Sequence, residues 1–227
     1  MEAATQKQLN LYLNILPKET LKAFEFLSTQ KWLGQAGWYL AEGTALALQA
    51  ENRKSVDLDF FTLEKSFNVK TLLANLIENK NWHATFEENS TLYGELFGAK
   101  ISFIAYPFFI PKQEFISCGS IKILQSRDIA VMKIIAVSQR GRKRDFFDLY
   151  WCAQHIESLI DIIKRLPGQY PAIAYDYHHI LKSLVYFDDA ESDPDPEINF
   201  NTNWGIVKSF FQKEIPIIMD KLVLETA

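Results

Sequence analysis

The segment Val56-Asp57-Leu58-Asp59-Phe60-Phe61 alternates apolar and acidic side chains, and it constrains the fold of this chain more than any other stretch. A period of two predicts a β-strand. Side chains two apart on a strand share a face. Val56, Leu58 and Phe60 are therefore expected to enter a core, with Asp57 and Asp59 together on the opposite face, roughly 6–7 Å apart at Cα by strand rise. Two carboxylates so close repel each other unless a cation lies between them. Mg²⁺ or Mn²⁺ would suit, because hard cations take carboxylate oxygens and share the remaining positions with substrate phosphates. A half-exposed strand whose polar face meets water gives the same pattern, so spacing alone leaves both readings open.

The preceding segment favours the first reading. Glu42-Gly43-Thr44 opens an Ala/Leu-rich stretch, 44–51, which predicts a helix with Thr44 as its N-cap. A glycine-containing turn at a helix start offers backbone N–H groups to a phosphate. Gly43 and Thr44 are thus candidate nucleotide contacts. Arg53 and Ser55, just before the strand, add two more, although Arg53 equally suits a structural ion pair.

Elsewhere the periodicity predicts amphipathic helices over 18–31 and 68–80, and strands over 82–86, 100–106 and 120–124. It predicts helices over 127–139, capped by Ser126, and over 145–155. The remainder reads as helical apart from an acidic loop over 188–197, with Asn203 capping a last helix. The expected fold class is α/β (α+β): a mixed sheet with flanking helices over residues 1–125, followed by a helical region over 126–227 that completes the site. The 227-residue chain has a formal net charge of −4, so polyanion binding is not a global property. Cys118 and Cys152 lack zinc or disulfide spacing. The absence of a signal-like start and of an apolar run of about 20 residues predicts a cytoplasmic protein outside the membrane.

Three later features carry chemistry. Lys133 sits in an otherwise apolar helix, where an ammonium must reach solvent or an anion. Asp145 and Asp148 share one helix face, in a first turn where acids are favoured in any case. Arg140, Arg142, Lys143 and Arg144 form the densest basic run, suited to an NTP or an RNA backbone, or to pairing with Asp145 and Asp148. His178 and His179 lack metal-ligand spacing and read as surface residues.

Residues 39–49 with 53–61, then 126–136, then 140–150, occur in an order that resembles the AbiEii/AbiGii toxin family of the DNA polymerase β-type nucleotidyltransferase superfamily. The resemblance implies a nucleotidyltransferase fold and metal-dependent transfer from an NTP to a hydroxyl acceptor, tRNA in some members. It also implies a toxin–antitoxin or abortive-infection role with a cognate antitoxin. It casts Asp57 and Asp59 as metal ligands, Gly43 and Thr44 beside the triphosphate, Lys133 on phosphate and Asp145 completing the site. The chain departs from the pattern twice. Glu42 replaces the first of two glycines, and Ser102 stands where the superfamily often has a third carboxylate. Both departures suit an alternative, a degenerate fold that binds nucleotide, RNA or a partner without turnover. Other DxD enzymes fit less well: a haloacid-dehalogenase-type phosphatase calls for Thr where Phe61 stands, and a glycosyltransferase leaves the Lys133 and Asp145 blocks unexplained.

Overall fold

The computed structural model describes residues 11–77, 80–171 and 177–226. Helices α1 (Lys18–Ser28) and α2 (Lys31–Gln35) come first, divided where the Ser28 and Thr29 hydroxyls turn back to the carbonyls of Glu25 and Phe26. Strand β1 (Tyr39–Leu40) leads directly into α3 (Glu42–Ala50). Then come β2 (Leu58–Thr62), α4 (Val69–Ile77), β3 (Trp82–Glu88), β4 (Thr91–Leu96), β5 (Ala99–Ala105), β6 (Ile116–Cys118) and β7 (Ile121–Ile123). The helical part comprises α5 (Ser126–Arg140), α6 (Lys143–His155), α7 (Leu159–Lys164), α8 (Leu166–Gln169), α9 (Tyr177–Ser183), α10 (Asp188–Glu191) and α11 (Trp204–Thr226).

The strands form one mixed seven-stranded sheet in the order β3-β4-β5-β2-β1-β7-β6. Strand β2 runs parallel to β5 and antiparallel to β1, while β1 runs parallel to β7. The α/β (α+β) expectation therefore holds. Leu58 and Phe60 enter the core as the alternation requires. Phe60 stacks on Phe103 at 5.3 Å, and Phe103 also meets Trp32, Trp38 and Trp82. Val56 does not follow the pattern. The strand begins only at Leu58, and Val56 is 47% exposed because it lies in a loop whose carbonyl is held by the Thr20 hydroxyl.

The middle of helix α3 is apolar, and Ala45, Leu46, Ala47 and Leu48 are fully buried between β2 and α5. Its start differs from expectation. Ala41 holds the N-cap position, and the Thr44 side chain, one turn inside, bonds across to the loop before β2. Gln49 ties α3 to the start of α5, accepting from the Ser126 amide and donating to the Leu124 carbonyl. Gln125, not Ser126, takes the cap position of α5. Gly141, at φ +53°, ends that helix in the left-handed conformation that suits glycine. Asn203 caps α11, as its position predicts, by accepting from the Ile206 amide at 3.0 Å. The acidic 188–197 stretch contains the short α10 rather than being loop throughout. Among the described residues no helix is long and apolar enough to cross a membrane.

One buried acid fastens the helical part to the chain before it. Asp128, with no solvent exposure, accepts from the amides of Lys112 and Gln113 at 2.8 and 2.9 Å and from the Gln169 side chain at 2.7 Å. Asp128→Ala leaves the buried Gln169 amide without this partner, at about 1–3 kcal/mol before relaxation, and the partly buried Lys112 and Gln113 amides at less. Urea unfolding is expected to show a loss of about 2–4 kcal/mol. A loss under about 0.5 kcal/mol, the size of a neutral surface change, would contradict this assignment.

Candidate active site

A cavity of about 590 Å³ lies between the sheet and α5. Asp57, Asp59 and Ser102 line one part of it, with Gly43, Arg53, Ser55, Arg140 and Arg144 close by. Phe61, Tyr106, Tyr170, Met132 and Ile135 make another part apolar. The parallel register of β2 and β5 sets this order, because Asp59 pairs with Ser102 and Phe61 with Ile104.

Beside the carboxylates is a compact charge network. The Lys133 ammonium, 1% exposed, lies 2.6 Å from Glu42, 2.7 Å from Asp145 and 3.1 Å from Asp148. Burial alone would drive off its proton, but the charges of Asp145, Glu42 and Asp148 outweigh burial and raise its pKa above the ordinary lysine range. Arg53 grips Asp148 in bidentate fashion at 2.7 and 2.8 Å, and Asn52 donates to the same carboxylate at 3.0 Å. Arg140 binds Asp145 through Nε at 2.8 Å and Nη2 at 3.1 Å, and reaches Glu42 at 3.1 Å. Burial works to raise the pKa values of Asp145 and Asp148, yet Lys133 and Arg140 for the first, and Arg53 and Lys133 for the second, hold both below the usual carboxylate range.

Asp57 and Asp59 are in a different electrostatic state. Arg144 approaches Asp57 only to 3.7 Å. Asp59 is pushed up to about 6, first by burial and then by the charge of Glu42, with Asp57 adding to the shift and the Ser102 side chain opposing it through a hydrogen bond. An enclosed carboxylate short of positive charge is suited to a divalent cation, and two carboxylates plus substrate phosphates make an ordinary Mg²⁺ set. No cluster of three or more His, Cys, Asp or Glu side chains is arranged to hold a metal among the described residues.

The other residues singled out by sequence take distinct places. Thr44 is buried, and its hydroxyl bonds to Ser55 at 2.8 Å and to the Asp57 carbonyl, so it braces the loop that presents Asp57 rather than opening to the cavity. Gly43 is required by Arg53: a Cβ there would stand 2.2 Å from the guanidinium. The basic run is largely engaged. Arg142 pairs with Asp193 at 3.0 Å, and Lys143 donates to the Asp193 carbonyl at 2.6 Å and to Asp195 at 3.0 Å. The acidic loop thus clamps two of the four cations, leaving Arg140 and Arg144 on the cavity. Tyr106 and Tyr170 were not legible as cavity residues; Tyr170 is the residue just after α8, far along the chain. His178 and His179 are exposed on α9.

This arrangement of sheet, helices and acidic strand is that of the nucleotidyltransferase fold. Two solved structures share it. One is an H. pylori protein provisionally described as a nucleotidyltransferase (TM-score 0.53, 20% identity, 91% of this chain and 97% of that one). The other is MenT4, a nucleotidyltransferase toxin from Mycobacterium tuberculosis H37Rv (TM-score 0.52, 14% identity, 90% of this chain and 86% of that one). In sequence, an uncharacterized protein of Aquifex aeolicus (strain VF5) is 34% identical over 181 residues, 78% of this chain and 86% of the relative. The profile described as nucleotidyl transferase AbiEii toxin, type IV toxin–antitoxin system, matches residues 109–206, which hold Lys133, Arg140, Asp145 and Asp148. The chain belongs to this AbiEii nucleotidyltransferase family.

Two measurements test the electrostatics. Asp145 and Asp148, with depressed pKa values, contribute stability that is present above the unfolded carboxylate range near pH 4 and lost as pH falls below it. Asp148→Asn leaves Arg53 and Lys133 short of a buried counter-charge, so it is expected to cost about 3–5 kcal/mol at pH 7 and to flatten the acid limb. A stability loss that is small, or an acid limb unchanged, would contradict the network. Asp59, with a raised value, behaves oppositely: a proton competes for it below pH 6. Mn²⁺ affinity followed by electron paramagnetic resonance should weaken up to about tenfold between pH 6 and pH 5; pH-independent affinity would rule Asp59 out as a ligand.

Proposed function

We propose that the chain moves a nucleotidyl group from an NTP to a hydroxyl acceptor. The observation that carries this is the contrast inside one cavity: Asp57 and Asp59 lie close together and are short of positive charge, while Lys133, Arg140 and Arg144 gather at the same cavity. That is a donor set for a metal-bound triphosphate. Asp57 and Asp59 would hold Mg²⁺ or Mn²⁺, which when bound would neutralise charge at the α-phosphate. Arg144 and Arg140 are placed to take phosphate oxygens. Phe61, Met132, Tyr106 and Tyr170 offer an apolar surface of the kind a nucleobase packs against. The acceptor oxygen would attack the α-phosphorus in line, and pyrophosphate would leave.

Residues 1–125 would form the catalytic core, and residues 126–227 would complete it through α5 and α6, which supply Lys133, Arg140 and Asp145. Asp145 and Asp148 then serve as positioning residues that keep Lys133 charged and fixed. Family membership supports a toxin role with a cognate antitoxin, and tRNA or another RNA is our reading of the acceptor. The cations at the cavity that are not fully buried, Arg140, Arg144 and Lys100, are few for a long RNA backbone, and Arg140 is already paired with Asp145 and Glu42, so the contact would be confined to an RNA end. A non-catalytic nucleotide-binding role remains the competing reading, favoured by the Glu42 carboxylate on Lys133 and by Ser102 in place of an acid.

The test is incubation with each α-labelled NTP, Mg²⁺ or Mn²⁺ and total bacterial tRNA, beside Asp57→Ala/Asp59→Ala. Label on RNA or protein is expected with the unmutated chain. The double variant should lose at least about 10³-fold in rate, as when a metal site is removed from a phosphoryl-transfer centre. Undiminished transfer by the double variant would refute the metal-site assignment. NTP binding without transfer under either metal would establish the binding-only role.

A further inference from the structure

An ammonium has three N–H donors. Around Lys133 stand three carboxylates: Glu42 at 2.6 Å, Asp145 at 2.7 Å and Asp148 at 3.1 Å. Glu42 and Asp145 accept hydrogen bonds from the ammonium, and Asp148 pairs with it by charge. The lysine side chain is 1% exposed, so the direct way for a phosphate oxygen to reach it is to take the place of one of them. Asp145 and Asp148 have no solvent exposure, and each is also gripped by an arginine, Arg140 and Arg53 respectively. Glu42 is held less firmly. Its side chain is 13% exposed and lines the cavity. Its partners are Lys133 and Arg140, both of which also line the cavity.

The backbone at Glu42 points the same way. Its φ is +61°, in the left-handed region that side chains with a Cβ enter at a cost. Glu51, at φ +50°, closes the C-terminus of α3, where that conformation is common. Glu42 instead opens the helix, at a point where a glycine would carry no strain. The ion pairs to α5 are the visible compensation, and they are made with cavity cations. Charge supports this: Glu42, Asp145 and Asp148 balance Arg53, Lys133 and Arg140. When Glu42 leaves, one unit of positive charge faces the cavity.

We infer that the Glu42 carboxylate stands in the place of a substrate anion, and that a phosphate oxygen of the incoming nucleotide displaces it from Lys133 and Arg140. The inference rests on the NTP reading of the cavity. It names the donors that take the phosphate and the residue that competes for them. Glu42 thereby sets nucleotide affinity: it keeps a buried lysine charged while the cavity holds no anion, and it weakens every phosphate that must replace it.

The experiment uses the full chain with Glu42→Gln and Glu42→Gly, and calorimetric titration with inorganic tripolyphosphate in the absence of metal. Thermal melting is measured alongside, and labelled-NTP transfer is followed separately. Both variants are expected to bind tripolyphosphate about tenfold more tightly, the size of one charge-assisted contact no longer in competition. Glu42→Gly should retain its melting temperature, since glycine accepts the left-handed backbone. Unchanged or weaker binding by Glu42→Gln at an unchanged melting temperature would overturn the inference. Weaker binding with a lowered melting temperature in both variants would overturn it too, making Glu42 a permanent strut. Transfer by the unmutated chain without tighter binding by the variants defeats this inference alone. Tighter binding without any transfer supports it and counts against the transferase reading.

Discussion

A lysine ammonium shut away from water persists only if anions surround it, and most of this site is arranged around that requirement at Lys133. Its three carboxylates come from α3 and α6, while the lysine itself lies on α5, so one charge fixes three helices relative to one another. Removing either fully buried partner, Asp145 or Asp148, leaves an uncompensated buried charge, which costs more than the intact network contributes over an apolar equivalent. The network therefore specifies geometry more than it stabilises. It holds α5 above β2 and β5 at a separation that leaves a cavity.

The fold provides what such a network needs. Strand β1 delivers the chain straight into α3, and the Ala41 amide bonds to the Asp59 carbonyl, so the start of α3 and the acidic strand are joined by backbone. Gly43 leaves room for Arg53, which runs along α3 to Asp148. Thr44 braces the loop carrying Asp57. Each small or polar residue in this segment serves a neighbour's position, and the two acids left short of positive charge are Asp57 and Asp59. Charge satisfied on one wall and unsatisfied on the other is what gives the cavity its chemistry.

Much of this was readable in the sequence, for identifiable reasons. The alternation around Asp59 revealed β2 because Leu58 and Phe60 obey a period of two. Lys133 stood out because a lone cation among Ile, Met and Ala needs an anion. The failures were failures of long-range information. Val56 looks like a core residue, yet its exposure is decided by a bond to Thr20 in α1. Thr44 looks like a cap, yet its partner is the loop before β2. Whether Arg142 and Lys143 are free could not be judged without knowing that the acidic loop around Asp193 folds back on them from about 50 residues away. The distinction between Asp145 and Asp148 and an ordinary acidic first turn lies in Arg53, which no local pattern links to α6. Glu42 was visible only as a departure from a pattern. Its left-handed backbone and its two cationic partners belong to three-dimensional structure.

The most direct test of this account is a crystal structure with Mn²⁺ and an NTP analogue non-hydrolysable between the α- and β-phosphates, using the anomalous signal of manganese. The account predicts an anomalous peak beside Asp57 and Asp59, phosphate oxygens on Arg140 and Lys133, and Asp145 and Asp148 unmoved. Manganese bound elsewhere, or a nucleotide seated away from these carboxylates with the Lys133 network untouched, would contradict it.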